Sequence, residues 1–261
     1  KPQPISAEIK AKRDAAEKRG SKPALADERL NNYLPCPEGY QYPYDFDNLG
    51  RSESEFSYIA IVHADGDGMG KRIRKIGKDA DDRGYIQQIR QFSHDLQTAT
   101  QTALKTTLND LEKKLKSEAK EGDKLVHRSD FGDILAEITL QKVEQDKYYL
   151  PFRPIVFGGD DVTFVCDGRL GISLALSFMR HFQTATQNLP DDKGKATASA
   201  GVVVVKSHYP FAQAYKLAEG LSKAAKIYRK EVGGEPCLDW HFARSGLSGG
   251  TEDIRRREYR V

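Results

Sequence analysis

The chain has 261 residues, of which 30% are charged and 38% hydrophobic, with 12 Tyr and 11 Phe. That content supports a sizeable core and excludes wholesale disorder, and the length allows one large domain or two small ones. The 41 Lys and Arg against 38 Asp and Glu leave a net charge of +3, which excludes a uniformly basic nucleic-acid coat.

No apolar stretch approaches the roughly 18 residues of a membrane span, and no hydrophobic signal core stands at the start. A soluble, cytoplasmic protein without a membrane partner is expected. The first residue is Lys, which points to a trimmed chain or a piece of a longer one. Cys36, Cys166 and Cys237 lie far apart and form no CxxC pair, so neither zinc nor a disulfide framework is expected, and a reducing cytosol fits.

Residues 1–57 read as an N-terminal appendage, with a charged, solvated helix at Lys10 to Arg19 and an ordered loop rich in Pro, Gly, Tyr and Asp from Leu34 to Asn48. The run Tyr58-Ile59-Ala60-Ile61-Val62 is continuous rather than alternating, which predicts a strand buried on both faces. It stops at Asp65-Gly66-Asp67-Gly68. A short helical turn from Met69 to Ile76 and a polar break at Asp79 to Asp82 follow. Apolar positions from Ile86 to Leu115 recur mostly at three, four and seven or eight, predicting a long helix from Tyr85 to Lys116. Ile134 to Val143 carries no decisive period.

Phe152 to Asp167 reads as a hairpin whose two β-rich runs flank Gly158-Gly159-Asp160-Asp161. Leu170 to Leu189 is a predicted helix and Gly201 to Val205 a predicted strand. Pro210 to Lys230 is a helix with Pro at its start and Gly233-Gly234 after its end. Cys237 to Phe242 is a candidate last strand. The order from Tyr58 is β-α-α-β-β-α-β-α-β, with no internal repeat.

Two acidic turns thus follow two apolar strands. If those strands are neighbours, three or four carboxylates meet at one sheet edge. Like charges so close are costly unless a cation neutralises them. Mg²⁺ takes carboxylate oxygen and keeps positions for phosphate, and glycines beside the carboxylates leave backbone N–H groups open to a triphosphate. A calcium loop starting at Asp65 would need Glu at its twelfth position, where Ile76 stands.

Residues from about Tyr58 to Phe242 resemble the palm domain of the large polymerase-cyclase subunit of type III CRISPR effector complexes. The matching pieces are Ala64-Asp65-Gly66-Asp67-Gly68-Met69-Gly70-Lys71, Gly158-Gly159-Asp160-Asp161, Ser199 to Lys206, and the Tyr215 to Lys226 segment. The resemblance implies an α+β, ferredoxin-like palm related to nucleotide cyclase and GGDEF domains. Its antiparallel sheet would carry helices on one face, plus a helical insertion at about 77–150. The palm would span 58–242, with a C-terminal tail at 243–261.

The implied activity is a metal-dependent nucleotidyltransferase that joins ATP into cyclic oligoadenylate. Asp65, Asp160 and Asp161 would be catalytic and hold Mg²⁺ or Mn²⁺ with the Gly66 backbone. Gly66, Asp67, Gly68, Met69 and Gly70, with Gly158 and Gly159, would lie against the nucleotide. Lys226 would contact phosphate, and Ser199 is a further candidate for the nucleotide site. A second palm, from a homodimer or a partner domain, would complete the site, and a CRISPR RNA–protein complex is an implied partner. The alternatives are a non-catalytic palm serving as scaffold or nucleotide sensor, and a GTP-using GGDEF-type cyclase. His63 reads as a packed structural histidine, and Arg255-Arg256-Arg257 as a solvated tail or a contact for RNA phosphate or a partner chain.

Overall fold

The computed structural model describes residues 6–8, 10–11, 25–49, 57–118, 124–128, 134–144, 147–189, 194–243 and 250–259. The chain divides into two compact units, Lys1–Cys36 and Pro37–Val261. In the first, helix α1 (Leu25–Tyr33) is followed by a turn in which Asn31 Oδ1 accepts the Cys36 N–H at 3.2 Å. The helix expected at 10–19 lies largely outside the described residues.

The second unit holds the expected element order. Strand β1 (Tyr40–Gln41) precedes it. β2 (Tyr58–Gly66) leads to a short helix α2 (Met69–Ile73) and a 37-residue helix α3 (Asp82–Glu118). Asp81 accepts the Gly84 N–H at 2.9 Å and caps α3, so the polar break is in part the helix start. The insertion is helical in its first half and extended in its second. Strands β3 (Lys124–Arg128) and β4 (Ile134–Thr139) pair with each other, and β5 (Lys142–Glu144) pairs with β6 (Lys147–Tyr149).

β7 (Phe152–Gly158) and β8 (Asp161–Asp167) form the predicted hairpin. α4 (Gly171–Ala185), β9 (Ala198–Lys206), α5 (Phe211–Glu231), β10 (Leu238–Phe242) and α6 (Thr251–Ile254) follow. The five-stranded sheet runs β10-β9-β2-β8-β7. β2 is antiparallel to both its neighbours, and β10 is parallel to β9.

Both faces of β2 are covered, as its unbroken apolar run requires. The start of α4 at Gly171 lies over Ala60 and Val202, and the Phe152 and Phe164 rings pack at 4.8 Å. α3 packs against α4. On the opposite face, Ile59, Ile61, Val165, Val203 and Val205 form a core with Ala214, Leu217, Ala218 and Leu221 of α5. There α5 rests directly on Gly201: any Cβ would run into the Ala218 carbonyl and the Ser222 nitrogen.

The single-face placement of helices therefore holds for α3 and α4, while α5 takes the other face. The steps β8-α4-β9 and β9-α5-β10 move the same way across the sheet between strands of one polarity. Because they use opposite faces, they have opposite hands. One of the two therefore departs from the usual right-handed crossover. The placement of α5 on the opposite face sets it behind the acidic end of β2.

Candidate functional site

The register of the sheet brings the two acidic turns together. Asp65 sits opposite Asp161 on β8 and opposite Ser199 on β9. The hairpin pairs Gly158 with Asp161, leaving Gly159 and Asp160 as a two-residue loop. Gly159 has φ +63°, the left-handed conformation such tight turns use. Thr100 of α3 donates its hydroxyl to the Gly159 carbonyl and ties the loop to the helix. The Gly66 N–H donates to the Asp160 carbonyl at 3.0 Å, locking the two turns to each other. A Cβ at Gly66 would stand 2.6 Å from Asp160 Cβ, so this approach needs glycine.

One stripe of α5 faces this edge. Tyr215, Glu219, Ser222, Lys226 and Arg229 recur every three or four residues and so share a helix face. Lys226 Nζ lies 2.5 Å from Asp65 Oδ2 and donates to the Gly66 carbonyl at 2.8 Å. Lys226 was expected at phosphate, and the Gly66 carbonyl at metal; in this structure they bind each other.

Asp67 was expected beside the nucleotide. Its side chain is 2% exposed and fully engaged. Thr197 Oγ1 donates to Oδ2 at 2.8 Å, Ser199 Oγ donates to Oδ1 at 2.9 Å, and Arg229 Nε pairs with Oδ2 at 3.1 Å. Arg229 in turn donates to Thr197 Oγ1 at 3.2 Å, and the Asp67 N–H donates to the Thr197 carbonyl at 2.8 Å. Asp67 and Ser199 thus bind one another and pin the turn to β9. Gly68 adopts φ +71°, Met69 is buried beside Gly66, and Gly70 lies in α2.

His63 is buried, with Nδ1 3.1 Å from Thr163 Oγ1 and 3.4 Å from Asp161 Oδ1, and its ring meets Tyr215 edge-on. It is packed, as its sequence context implied, yet it touches the site. Of the three arginines near the end, Arg255 pairs with Asp239 and Arg257 Nε donates to the Asp253 carbonyl at 3.2 Å. Arg229 and Thr197 were not singled out from sequence, and Tyr215 and Glu219 were noted only within the helix segment, without a place in the site. Their signal was the three-and-four spacing on α5 and the hydroxyl-rich Thr197-Ala198-Ser199 opposite the first turn.

Electrostatics mark the edge as crowded. Burial, followed by the Asp65 charge, raises the Asp160 carboxyl above its ordinary value, against its own backbone hydrogen bond and Lys226. Burial also raises Asp161, with Asp65 adding to it and His63 and Lys226 opposing it. Asp161 Oδ1 is buried without a hydrogen bond. Three hard oxygen donors, one of them with only the His63 ring beside it, and a glycine cradle suit a magnesium-like cation. Among the described residues, however, no three carboxylate, imidazole or thiol groups stand close enough to form a ready metal cage. Lys226 already holds Asp65.

A β-α-α-β-β-α-β sheet with carboxylates at the end of its central strand and in the adjoining hairpin defines a palm domain. The chain belongs to the Cas10/Cmr2 family: the model of that family's second palm domain matches residues 58–232. Solved structures similar to it include a Csm1–Csm4 cassette in complex with cA4, at 16% identity and a TM-score of 0.45, covering 70% of this chain and 21% of that one. A Csm1–Csm4 cassette in complex with one ATP shares 17% identity, with a TM-score of 0.43, covering 70% of this chain and 21% of that one. A Csm1–Csm4 subcomplex in the type III-A CRISPR-Csm interference complex gives the same values. The chain thus spans about a fifth of the length of those chains. No curated protein matches it. Among the described residues, no helix is long and apolar enough to cross a membrane.

Proposed function

We propose that this palm is the metal-bearing half of a nucleotidyl-transfer site that joins ATP into cyclic oligoadenylate within a CRISPR effector assembly in the cytoplasm. One observation carries the reading: the register that sets Asp65 against Asp161, with Asp160 locked beside them through Gly66. A fold gains nothing from crowding half-buried carboxylates at one edge unless a cation or substrate uses them.

In this reading Asp65, Asp160 and Asp161 hold one or two divalent cations, Mg²⁺ or Mn²⁺. Such ions, when bound, acidify an attacking 3′-hydroxyl and neutralise the leaving pyrophosphate. The protein's part is positioning. The Gly66–Asp160 hydrogen bond keeps the two turns at fixed separation, the Asp67 network holds the first turn against β9, and the backbone of Gly66 to Gly70 with Gly158 and Gly159 forms the surface beside the nucleotide. Catalysis then comes from orientation and charge rather than covalent chemistry. A palm with one such edge holds one donor nucleotide, so a second palm supplies the acceptor. We place the domain boundaries at 58–242 for the palm, with 1–57 and 243–261 outside it.

The test is incubation with each labelled NTP and Mg²⁺ or Mn²⁺, with products read by mass. The reading expects ATP-derived cyclic oligoadenylate, lost in Asp160→Ala/Asp161→Ala and in Asp65→Ala while the fold persists. A GTP-derived product would assign the GGDEF-type chemistry instead. A second reading, a palm that binds nucleotide without chemistry, is favoured by the Lys226–Asp65 pair, which leaves the edge part-neutralised without metal. Nucleotide binding with no product in any of these incubations would select it.

A further inference from the structure

We propose that Lys226 is the resident counter-cation of the acidic edge, and that a divalent ion and the Lys226 ammonium compete for Asp65. The proposal rests on the metal-site reading above and adds an exchange to it. Lys226 Nζ is 2.5 Å from Asp65 Oδ2, and the Gly66 carbonyl accepts a second of its protons at 2.8 Å. Those are two of the oxygens a cation at this edge would seek.

The neighbouring groups reinforce the contact. Asp160 and Asp161 both feel the Lys226 charge, and Asp65 raises the charging cost of both. One ammonium therefore serves three carboxylates. The two cationic side chains nearest to it along α5 have partners of their own. Arg229, one turn on, is committed to the buried Asp67, and Lys223 pairs with Glu219 at 2.9 Å.

The Asp65 carboxylate is thus shared: it holds the Lys226 ammonium on the α5 side and meets Asp160 of the hairpin on the other. Exchange needs little rearrangement. The Lys226 side chain is 24% exposed and ends a flexible stem, so its ammonium can turn to solvent or to an anionic ligand without moving α5. Released in this way, Lys226 becomes available to a triphosphate only once Asp65 is taken by metal. Metal binding and phosphate contact are then ordered by one side chain, and each favours the other, as linkage requires.

The test measures Mn²⁺ binding to the nucleotide-free chain by electron paramagnetic resonance or calorimetry, alongside thermal unfolding in EDTA and in Mn²⁺. Three proteins are compared: wild type, Lys226→Met, and Lys223→Met as a control that removes the same charge from the same helix. Breaking a charge-assisted hydrogen bond is the step the metal no longer performs in the first variant. Lys226→Met should therefore bind Mn²⁺ about ten-fold tighter or more. It should also melt below wild type in EDTA and recover in Mn²⁺. The control should match wild type within about two-fold. If wild type binds Mn²⁺ and Lys226→Met binds it no more tightly, the exchange is overturned while the metal reading stands. If neither binds Mn²⁺, the metal reading falls and the exchange with it.

Discussion

Asp67 offers the sharpest separation between a ligand and a pin. Its carboxylate is 2% exposed, accepts two hydroxyl protons at 2.8 and 2.9 Å, and pairs with Arg229 at 3.1 Å. Asp67→Asn keeps the shape and one carbonyl oxygen but removes the charge. One hydroxyl retains its acceptor, the other can rotate to accept from the new amide, and Arg229 loses its counter-ion. Hydrogen bonds to charged groups contribute about 1.5–3 kcal/mol, and stripping a partner from a buried ion pair costs about 3–5 kcal/mol. Arg229 is 26% exposed and relaxes partly into water, which favours the lower range. The expected loss is about 2–3 kcal/mol, or a Tm drop of roughly 5–10 °C for a unit of this size. Arg229→Met should cost a similar amount, and the double variant should show about 1–2 kcal/mol of coupling. Urea unfolding of the four proteins, with slope and midpoint fitted separately, measures this. If Asp67→Asn stayed within about 0.5 kcal/mol of wild type but weakened Mn²⁺ binding, Asp67 would be a metal ligand and the pin assignment would be wrong.

Three further outcomes are expected. The Asp160 and Asp161 carboxyls sit above their unfolded values, so the native state holds extra protons in that window and their effect on stability worsens as pH rises through it. Relative to wild type in EDTA, Asp160→Asn/Asp161→Asn should therefore gain little near pH ~4, gain more as pH rises through the raised carboxyl values, and level off above them; a pH-independent difference in Tm would contradict the crowding. Gly201→Ala drives a methyl into the backbone of α5 and should cost about 3 kcal/mol or more, seen as loss of the cooperative thermal transition or a large Tm drop. Should the acceptor nucleotide sit on a second palm, specific activity must rise with protein concentration through the dimer dissociation constant; a flat activity on dilution, with light scattering giving a monomer, refutes it.

Much of the palm was legible because burial on both faces writes itself as an unbroken apolar run. Tyr58 to Val62 and Val162 to Cys166 show this, and the Gly/Asp turns punctuate both. Pro210 and Gly233-Gly234 framed α5 closely. What stayed hidden depends on partners distant in sequence. Asp67 looks like Asp65 in the string, and only the register that sets Gly66 against Ala198 brings Thr197 and Ser199 to its carboxylate. The stripe Tyr215, Glu219, Ser222, Lys226, Arg229 is visible as a spacing, but spacing names a face and not what the face meets. That α5 lies on the face opposite α4 depends on crossover hand, which no local pattern encodes. β3 to β6 were missed because they are short and mix polar with apolar residues, where neither period dominates.

The placement of β2 at the middle of its sheet also sets the order in which this chain can fold. Ser199 and Asp67 meet across 132 residues, and Lys226 and Gly66 across 160. On a ribosome, β2 emerges long before either strand that will flank it, while α3 needs only its own neighbours to form. Loops of this length make central pairing slow, on the order of milliseconds to seconds rather than microseconds. Throughout that interval an apolar strand with two open edges is exposed, and its flanking acidic turn, still unpaired with Lys226, repels a second copy of itself. The same carboxylates that crowd the finished edge therefore guard the unfinished one against aggregation.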